Sequence, residues 1–261
     1  MKPTPFPSIW ISDFRSKADF DERAMSLGSA FSVFDWIDDR VLQSRHAFTI
    51  PAYCANCERV TKMQIDWRLV GGGNFTTSVN PAWTEIAACE ICGLNSRTRA
   101  FVHFLKTRTE LNKVRKAYIA EQITPLYQHL RMMFPFLTGS EFMGNQYKSG
   151  DTVIKWNSLS RVLHQDLTAL SFGDGEFDLV MTLDVFEHIP DYRKVLAEMY
   201  RILVPGGRLI FTIPFFMIWR LRVSVLPLVL RGLFTIFRQK STVIQSPKRD
   251  HFVFKILVGI F

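Results

Sequence analysis

Residues 166–215 carry the clearest pattern of hydrophobic and polar positions in the chain. Phe177–Leu183 is a nearly continuous apolar run of strand length, which is typical of a central parallel strand covered on both faces. Apolar residues then recur at helical spacing, namely Val195, Leu196, Met199, Ile202 and Leu203. The helix is predicted to begin after Pro190 and to end before the turn at Pro205, and residues 208–213 form the next predicted strand.

Two further strands are predicted upstream. Residues 117–120 read as a strand, Thr124 and Pro125 as the start of a helix, and residues 137–143 as a second strand. Acidic residues stand where the predicted strands pass into loops. Because the carboxyl ends of parallel strands meet at one edge of a sheet, this pattern is typical of a doubly wound α/β domain with a nucleotide-type pocket. The predicted fold class is therefore α/β.

The run DLTALSFGDGEFDLVMTLDVFEHIPDYRKVLAEMYRILVPGGRLIFTIPF, residues 166–215, resembles a known family. It is similar to the second half of a class I S-adenosylmethionine-dependent methyltransferase, of the group with an EHIPD-like loop and a PGG turn. The resemblance implies a Rossmann-like sheet, S-adenosylmethionine as cofactor and methyl transfer to an unidentified small-molecule or other acceptor. An acceptor O, N, C or S atom would displace the sulfonium in line, so positioning and exclusion of water should supply most of the acceleration.

Individual residues take roles from that resemblance. Glu141 stands where the ribose hydroxyls are bound, and Asp166 where the adenine amino group is recognised. The remaining expected cofactor contacts are Glu121, Leu167 and Asp184. Without the resemblance, each acid would be interpreted as a solvated loop residue or a helix cap. His188, in the loop that faces the methyl acceptor, has two interpretations: a general base, since imidazole exchanges protons near neutral pH, or a structural hydrogen-bonding residue.

The loop after the first predicted strand departs from the family. There the family has glycines, because the backbone must approach the cofactor closely. Here the loop is Glu121-Gln122-Ile123. Divergent members with loops like YIAEQ followed by TPLY, and GSE on the second strand, are similar to this chain. Two hypotheses follow: a methyltransferase, or a non-catalytic zinc-containing binding module on a decayed methyltransferase fold.

The cysteines of the chain form two CxxC pairs about thirty residues apart. They are Cys54, Cys57, Cys89 and Cys92. Two such pairs can present four thiolates tetrahedrally to one zinc ion, and this is the interpretation that the spacing favours. Two disulfides and a redox-active CxxC are the alternatives. A glycine turn at residues 71–73, between predicted strands at residues 60–70 and 75–86, predicts the hairpin of a zinc ribbon.

The domain organisation follows from these features. Residues 1–50 hold aromatic residues among charges and predict a helical cap, residues 51–99 a zinc-ribbon-like module, and residues 100–216 the methyltransferase-like domain. Arg97 and Arg99 follow the second cysteine pair, and either a solvated helix start or an anion-binding site would account for them.

The excess of basic residues is concentrated at the end of the chain. The chain carries a formal net charge of +8, but eight basic residues and one acid lie in residues 217–261, so the rest is nearly neutral. We therefore expect no nucleic-acid partner. Arginines interrupt the apolar stretch at residues 218–237, so no transmembrane span is expected, although a basic amphipathic anchor is compatible with it. The first residues lack an apolar signal-peptide core, and a cytoplasmic location is expected.

The residues after Met217 also fail to continue the family pattern, which predicts a sheet incomplete at its C-terminal edge. We predict that this tail is a frame-shifted translation. Reading the last base of each preceding codon with the first two bases of the next, permitted synonymous codons over residues 235–261 give YHFPPEIHGNPVSEAGSLCFQNFGWDI. That text resembles the PPE-x-HG-x-P and FGWD segments of the methyltransferase subgroup.

Overall fold

The structure is a computed structural model that describes residues 11–13, 47–66, 87–154, 161–213, 233–238 and 255–258. For residues 11–13, 233–238 and 255–258 it describes the backbone alone. The chain divides into two compact units. One comprises Met1–Ser12 and Arg108–Gly259, and the other Asp13–Thr107 and Ile260–Phe261.

The strands and helices, in chain order, have the following bounds. The strands are β1 (Ile11–Asp13), β2 (Phe48–Cys54), β3 (Arg59–Ile65), β4 (Ala87–Cys89), β5 (Ala117–Ile119), β6 (Leu137–Gly139), β7 (Thr152–Ile154), β8 (Arg161–Leu163), β9 (Phe177–Leu183), β10 (Leu203–Ile213), β11 (Leu233–Arg238) and β12 (Lys255–Val258). The helices are α1 (Ser96–Arg108), α2 (Pro125–Met133) and α3 (Tyr192–Ile202). Two short 3-10 turns cover Leu111–Lys113 and Phe186–His188.

The larger unit is built on a seven-stranded sheet with the order β1-β12-β11-β10-β9-β5-β6. Strands β10, β9, β5 and β6 run parallel. Strand β9 is buried along most of its length, as its continuous apolar run predicts. The α/β class with a parallel, Rossmann-like central sheet is thus confirmed.

The helices of this unit begin where the sequence predicts. The side chain of Thr124 accepts a hydrogen bond from the Tyr127 amide at 3.1 Å and caps α2, whose first residue is Pro125. Asp191 caps α3 through the Lys194 amide. Helix α3 places its apolar stripe in the core with residues of β9 and β10. Core members from these elements include Phe177, Val180, Val195, Met199, Ile202, Leu209 and Phe211.

The expectation that the sheet ends at β10 is wrong. Strand β11 pairs antiparallel with β10, from Arg208 opposite Arg238 to Ile213 opposite Leu233, and β12 pairs with β11. The missing glycine-turned hairpin led to the expectation of an open edge. The sequence of β11, LFTIFR, is rich in β-branched and aromatic residues. Such a run can extend a sheet without a tight turn beside it.

The smaller unit contains the antiparallel sheet β2-β3-β4. Its core consists of Met63, Ile65 and Ala87 with two of the cysteines, Cys54 and Cys89. Helix α1 belongs to this unit, whereas the sequence analysis places its residues from 100 onward in the methyltransferase-like domain. The difference has a local cause, since side chains of α1 donate hydrogen bonds to the segments that carry the cysteines.

Several sequence predictions fall outside the described residues. They are most of the helical cap predicted over residues 1–50, the glycine turn at residues 71–73 and most of the tail after Met217; the described parts of residues 1–50 are strand residues of β1 and β2 and the residue before β2. Among the residues that are described, no helix has both the length and the apolar character needed to span a membrane.

Candidate functional site

The carboxyl ends of the parallel strands form one continuous edge. Backbone hydrogen bonds continue past the strand ends, from Ala120 N to Met181 O at 3.0 Å and from Ser140 N to Ile119 O at 3.2 Å. A parallel bridge joins Glu141 to His164, with the amide of Gln165 bonded to Glu141 O at 3.1 Å. The acids expected to contact the cofactor therefore follow neighbouring strands, where ligands of doubly wound folds bind.

Glu141 lies at the centre of this edge. Its Oε1 atom accepts hydrogen bonds from the backbone amides of Gln122 at 2.7 Å and Ile123 at 3.0 Å. Both amides belong to the loop between β5 and α2. The residue is half-buried, and within the described part of the chain the hydrogen bonds to its carboxylate are both accepted by Oε1. One oxygen thus holds the loop, and the other can accept from a ligand hydroxyl.

The loop after β5 is fixed without any glycine of its own. The Gln122 side chain donates to Arg161 O at 3.1 Å and accepts from Leu163 N at 2.8 Å, so it bonds to β8 as a neighbouring strand would. The close approach occurs at Gly139 instead. A Cβ atom there would lie 2.7 Å from Glu121 O and 2.4 Å from Tyr127 Cε2. The residue that must lack a side chain is therefore Gly139 in β6, the strand next to the loop, and not a residue of the loop itself.

Asp166 and Leu167 open the loop that follows β8. Asp166 Oδ1 accepts from both the amide and the hydroxyl of Thr168, at 2.8 and 2.7 Å, which is a tight Asx-type turn. Leu167 is buried in the core. Asp166 is half-buried, and its carboxylate therefore stays partly accessible beside a buried leucine.

The far side of this loop is held by α3, a contact that the sequence analysis missed. Arg201 donates to Leu170 O at 3.0 Å and to Phe172 O at 2.8 Å. Glu198 binds Arg201 through both carboxylate oxygens and accepts from Leu170 N at 2.8 Å. The hydrogen bonds from Arg201 lower the pKa of Glu198 despite its burial. The i,i+3 Glu–Arg spacing is the signal of this pair in the sequence.

Asp184 directly follows β9 and has a left-handed backbone conformation, with φ of 49°. Its amide donates to the Thr212 hydroxyl at 2.9 Å, and that hydroxyl donates back to Asp184 Oδ1 at 2.7 Å. The buried Thr212 thus orients the carboxylate. His188 lies beyond it in a 3-10 turn, with 77% of its side chain exposed and Nε2 3.7 Å from Glu187 Oε1. This exposure leaves both interpretations of His188 open.

Other buried polar groups support the edge and were not predicted. The hydroxyls of Tyr118 and Ser140 are 2.7 Å apart, and burial raises the pKa of Tyr118 well above its usual range. His164 is buried, and its Nδ1 accepts from the Met143 amide at 2.9 Å, which places the proton of the neutral ring on Nε2. In the sequence, these residues are marked only by their positions within or directly after the strands β5, β6 and β8.

The smaller unit holds the four cysteines as one cluster. All four sulfur atoms lie within 4.8 Å of one another, and the pairs Cys54–Cys92 and Cys57–Cys89 are 3.9 Å apart. A disulfide requires a sulfur separation of about 2.05 Å, so these are free thiols in this structure. Around one zinc with bonds of about 2.3 Å, tetrahedral geometry puts sulfurs roughly 3.8 Å apart. The spacing therefore fits a tetrathiolate metal centre.

The backbone around each pair supports the same interpretation. Glu58 and Gly93, the residues directly after Cys57 and Cys92, both have left-handed backbone conformations, with φ of 55° and 69°. The Cys57 amide points at Cys54 Sγ at 3.4 Å. The thiols also interact, since their mutual hydrogen bond lowers the pKa of Cys92 and raises that of Cys54. The two CxxC turns, here called knuckles, cover residues 54–57 and 89–92. A backbone amide donates to a sulfur in each, from Cys57 to Cys54 and from Leu94 to Cys92.

Comparison with known proteins shows that part of the chain is similar to a described protein family. Residues 126–211 match the family described as "Methyltransferase domain". The chain is 40% identical over 75 residues to a demethylmenaquinone methyltransferase of Listeria welshimeri, which is 28% of this chain and 32% of the relative. It is 50% identical over 50 residues to the Thermus thermophilus enzyme of that name, 19% of this chain and 23% of the relative. The matched segment thus spans a third or less of these relatives.

Solved structures give a weaker resemblance. A crystal structure of an S-adenosylmethionine-dependent methyltransferase from Mesorhizobium loti matches with a TM-score of 0.32 and 13% identity, over 44% of this chain and 52% of that chain. The family match runs from α2 into β10 and includes Glu141, Asp166 and Asp184, but Glu121 lies before it. Residues 126–211 of this unit are therefore similar to a methyltransferase domain.

Proposed function

We propose that this chain binds S-adenosylmethionine at the carboxyl edge of β5, β6, β8 and β9 and transfers its methyl group to an acceptor. The observation that carries the proposal is Glu141, whose Oε1 holds the β5–α2 loop while Oε2 stays available to a ligand. A half-buried carboxylate with one uncommitted oxygen fits vicinal ribose hydroxyls. Glu121, Asp166, Leu167 and Asp184 complete the proposed cofactor contacts.

The bound cofactor would supply an electrophilic methyl on a sulfonium. The protein's share is to hold the ligand and to keep the edge ordered. The Glu141–loop hydrogen bonds and the Gln122–β8 contacts fix the loop before any ligand arrives, which lowers the ordering cost of binding. Thr212 fixes Asp184, and Arg201 fixes the loop after Asp166. Because positioning supplies most of such a reaction's acceleration, no covalent participation by a side chain is required.

Direct titration tests this proposal. Isothermal calorimetry with S-adenosylmethionine and with S-adenosylhomocysteine should give saturable binding of both at about one ligand per chain. Glu141→Gln should weaken both. Absence of heat and of any ligand-induced rise in melting temperature would overturn cofactor binding on this edge.

The acceptor is not assigned. The relatives are named for demethylmenaquinone, but the segment that they share with this chain is 32% or less of their own length. The half-buried apolar residues Val185 and Ile189 flank the turn that carries His188. Apolar side chains at this position are compatible with an apolar methyl acceptor. Tritiated S-adenosylmethionine can be incubated with the protein and either the lipid or the aqueous fraction of a cell extract. The fraction that takes up the label would show whether the acceptor is apolar or water-soluble. Binding without transfer to any fraction would favour the non-catalytic alternative.

A second proposed role is structural zinc binding by Cys54, Cys57, Cys89 and Cys92. The sulfur spacing and the paired left-handed turns support it. Four cysteines and no open position are typical of structural rather than catalytic zinc. We expect about one zinc per chain by elemental analysis of protein purified without chelator. Metal-free protein that nevertheless keeps the melting profile of the zinc-supplemented protein would rule out this role.

A further inference from the structure

Helix α1 carries two cations directed at the cysteine knuckles. Arg99 Nη1 donates to Ala87 O at 2.6 Å and to Leu94 O at 3.1 Å, on either side of the second cysteine pair. Lys106 Nζ donates to Asn56 O at 3.2 Å, between the cysteines of the first pair. Arg99 and Lys106 are seven residues apart, so two helical turns place them on one face.

The charges of these side chains have no carboxylate partner within the described residues. Arg99 is half-buried, and its hydrogen bonds go to two carbonyls and the Ser96 hydroxyl, all of them neutral. Neither Arg99 nor Lys106 forms an ion pair in that part of the chain, and α1 contains no acid. A partly buried cation without a counter-charge is costly. Burial lowers the pKa of Arg99, and the four cysteines act on it electrostatically in the opposite direction.

A tetrathiolate centre supplies the missing charge. Four thiolates around a divalent ion carry a net charge of −2, and the partly buried site screens it weakly. Arg99 and Lys106 together carry +2. Each also binds the backbone of one knuckle, so the same two residues connect to both halves of the centre.

We propose that Arg99 and Lys106 are positioning residues that compensate the charge of a divalent metal tetrathiolate and join both knuckles to α1. This inference rests on the proposed zinc site. Because Arg99 is half-buried and Lys106 is exposed, Arg99 makes the larger contribution. The Lys106 contribution is the more sensitive to salt, since solvent ions screen exposed charges.

The test uses the full chain with Arg99→Gln, Arg99→Lys and Lys106→Gln. Glutamine keeps a hydrogen-bond donor but removes the charge, and lysine keeps the charge but loses the planar fork. Lys62→Gln, an exposed β3 position in the same unit, is the matched control. Zinc affinity is measured by competition with a chromophoric chelator. We expect about 10- to 100-fold weaker zinc binding for Arg99→Gln, a smaller loss for Lys106→Gln, partial rescue in Arg99→Lys and wild-type binding for Lys62→Gln.

A second readout separates charge from packing. With iron in the site, an electrode supplies one electron that converts the ferric centre of net charge −1 into the ferrous centre of net charge −2. Removing a compensating cation disfavours the more negative state, so the reduction potential should fall in Arg99→Gln and recover in Arg99→Lys. A purely structural role would not produce that recovery.

The outcomes distinguish the two proposals. Wild-type protein that binds no zinc overturns the metal site and this inference together. Zinc binding with affinity and potential unchanged in Arg99→Gln and Lys106→Gln overturns the charge role alone. Circular dichroism establishes folding, and the exposed Lys106 position decides the question if Arg99→Gln does not fold.

Discussion

Glu141 Oε1 accepts a hydrogen bond from the backbone amide of Gln122 at 2.7 Å, so the carboxylate at the end of one strand fixes the loop after its neighbour. The Ile123 amide binds the same oxygen. The Gln122 amide is partly buried and needs a hydrogen-bond partner, which this carboxylate provides. The ribose-binding acid of our proposal is therefore also part of the loop's architecture, and a simple truncation would remove both roles at once.

Two substitutions at Glu141 separate these roles. Glutamine retains a carbonyl oxygen for the two loop amides but replaces Oε2 by a donor, whereas alanine removes every partner. We expect Glu141→Gln to weaken S-adenosylmethionine binding by about 1–3 kcal/mol with little change in melting temperature. Glu141→Ala should weaken binding and also lower the melting temperature. Equal affinities for the wild type and Glu141→Gln, measured by calorimetry, would show that Glu141 does not bind the ribose of the cofactor.

Much of the parallel sheet could be predicted because its signals are local. Phe177–Leu183 coincides with β9, and Thr124 and Asp191 cap the helices that their sequence context indicates. A buried strand needs a continuous apolar run, and a helix start needs a side-chain acceptor. Both requirements can be read within a few residues.

What could not be predicted depends on contacts between distant residues. Nothing near Glu121 in the sequence indicates that Gly139 relieves the crowding at the loop, because the two positions meet only across β5 and β6. Arg99 was interpreted as solvated or anion-binding, and its carbonyl partners appear only once β4 and α1 are packed together. Strand β11 lacks a turn signal, since its partner β10 ends about twenty residues earlier in the chain.

Gly139→Ala tests the loop geometry. The added Cβ would lie 2.7 Å from Glu121 O and 2.4 Å from a Tyr127 ring carbon, so backbone or ring must move. We expect a loss of stability of about 1–3 kcal/mol by urea denaturation and weaker cofactor binding. Gly173→Ala is the control, because its Cβ would approach only Glu176 Oε2, at 3.7 Å. Equal stability of the two variants would show that the loop accommodates a side chain at Gly139.

The Glu198–Arg201 pair makes stability depend on pH. The folded-state pKa of Glu198 is lowered by the hydrogen bonds from Arg201, so the pair's contribution is fully present above the unfolded value of about 4.3. It is lost as pH falls through the lower folded value. We expect Glu198→Gln to cost about 1–3 kcal/mol at pH 7, and the difference from wild type to shrink below about pH 4.

Asp174 provides the control for that pair. It binds the same Arg201 at 2.8 Å, but 83% of its side chain is exposed. Asp174→Asn should therefore change stability far less than Glu198→Gln. Urea titrations at several pH values measure both. A Glu198→Gln deficit that is unchanged down to pH 3 would contradict the assignment of the pH dependence to this carboxylate.

His188→Ala distinguishes the two interpretations of the exposed histidine. As a general base it would contribute roughly 10²- to 10⁴-fold to turnover, and its loss would remove the acidic limb of the pH–rate profile. As a structural residue it would leave that limb in place. Because the side chain is exposed, we expect an unchanged melting temperature in either case. The measurement is kcat against pH once an acceptor is in hand.

The last prediction concerns the gene. If residues after Met217 are a frame-shifted translation, a single-base slip near Phe216 should be found, and the codons of residues 235–261 should spell YHFPPEIHGNPVSEAGSLCFQNFGWDI in the alternative frame. The first two bases of most codons are fixed by the residue, so freedom lies mainly at the third base. An agreement of that length is therefore a demanding requirement on the DNA sequence.

Repair of the slip gives the prediction a biochemical outcome. In the present chain, β11 and β12 extend the sheet beyond β10 with tail residues. The repaired chain would replace them with the segments that resemble the methyltransferase subgroup. We expect it to express in higher soluble yield, to unfold with a sharper transition and to bind S-adenosylmethionine at least as tightly, with the present chain as the matched control. An intact reading frame whose codons cannot yield the alternative text would refute the frame shift, and the basic tail would then belong to the native protein.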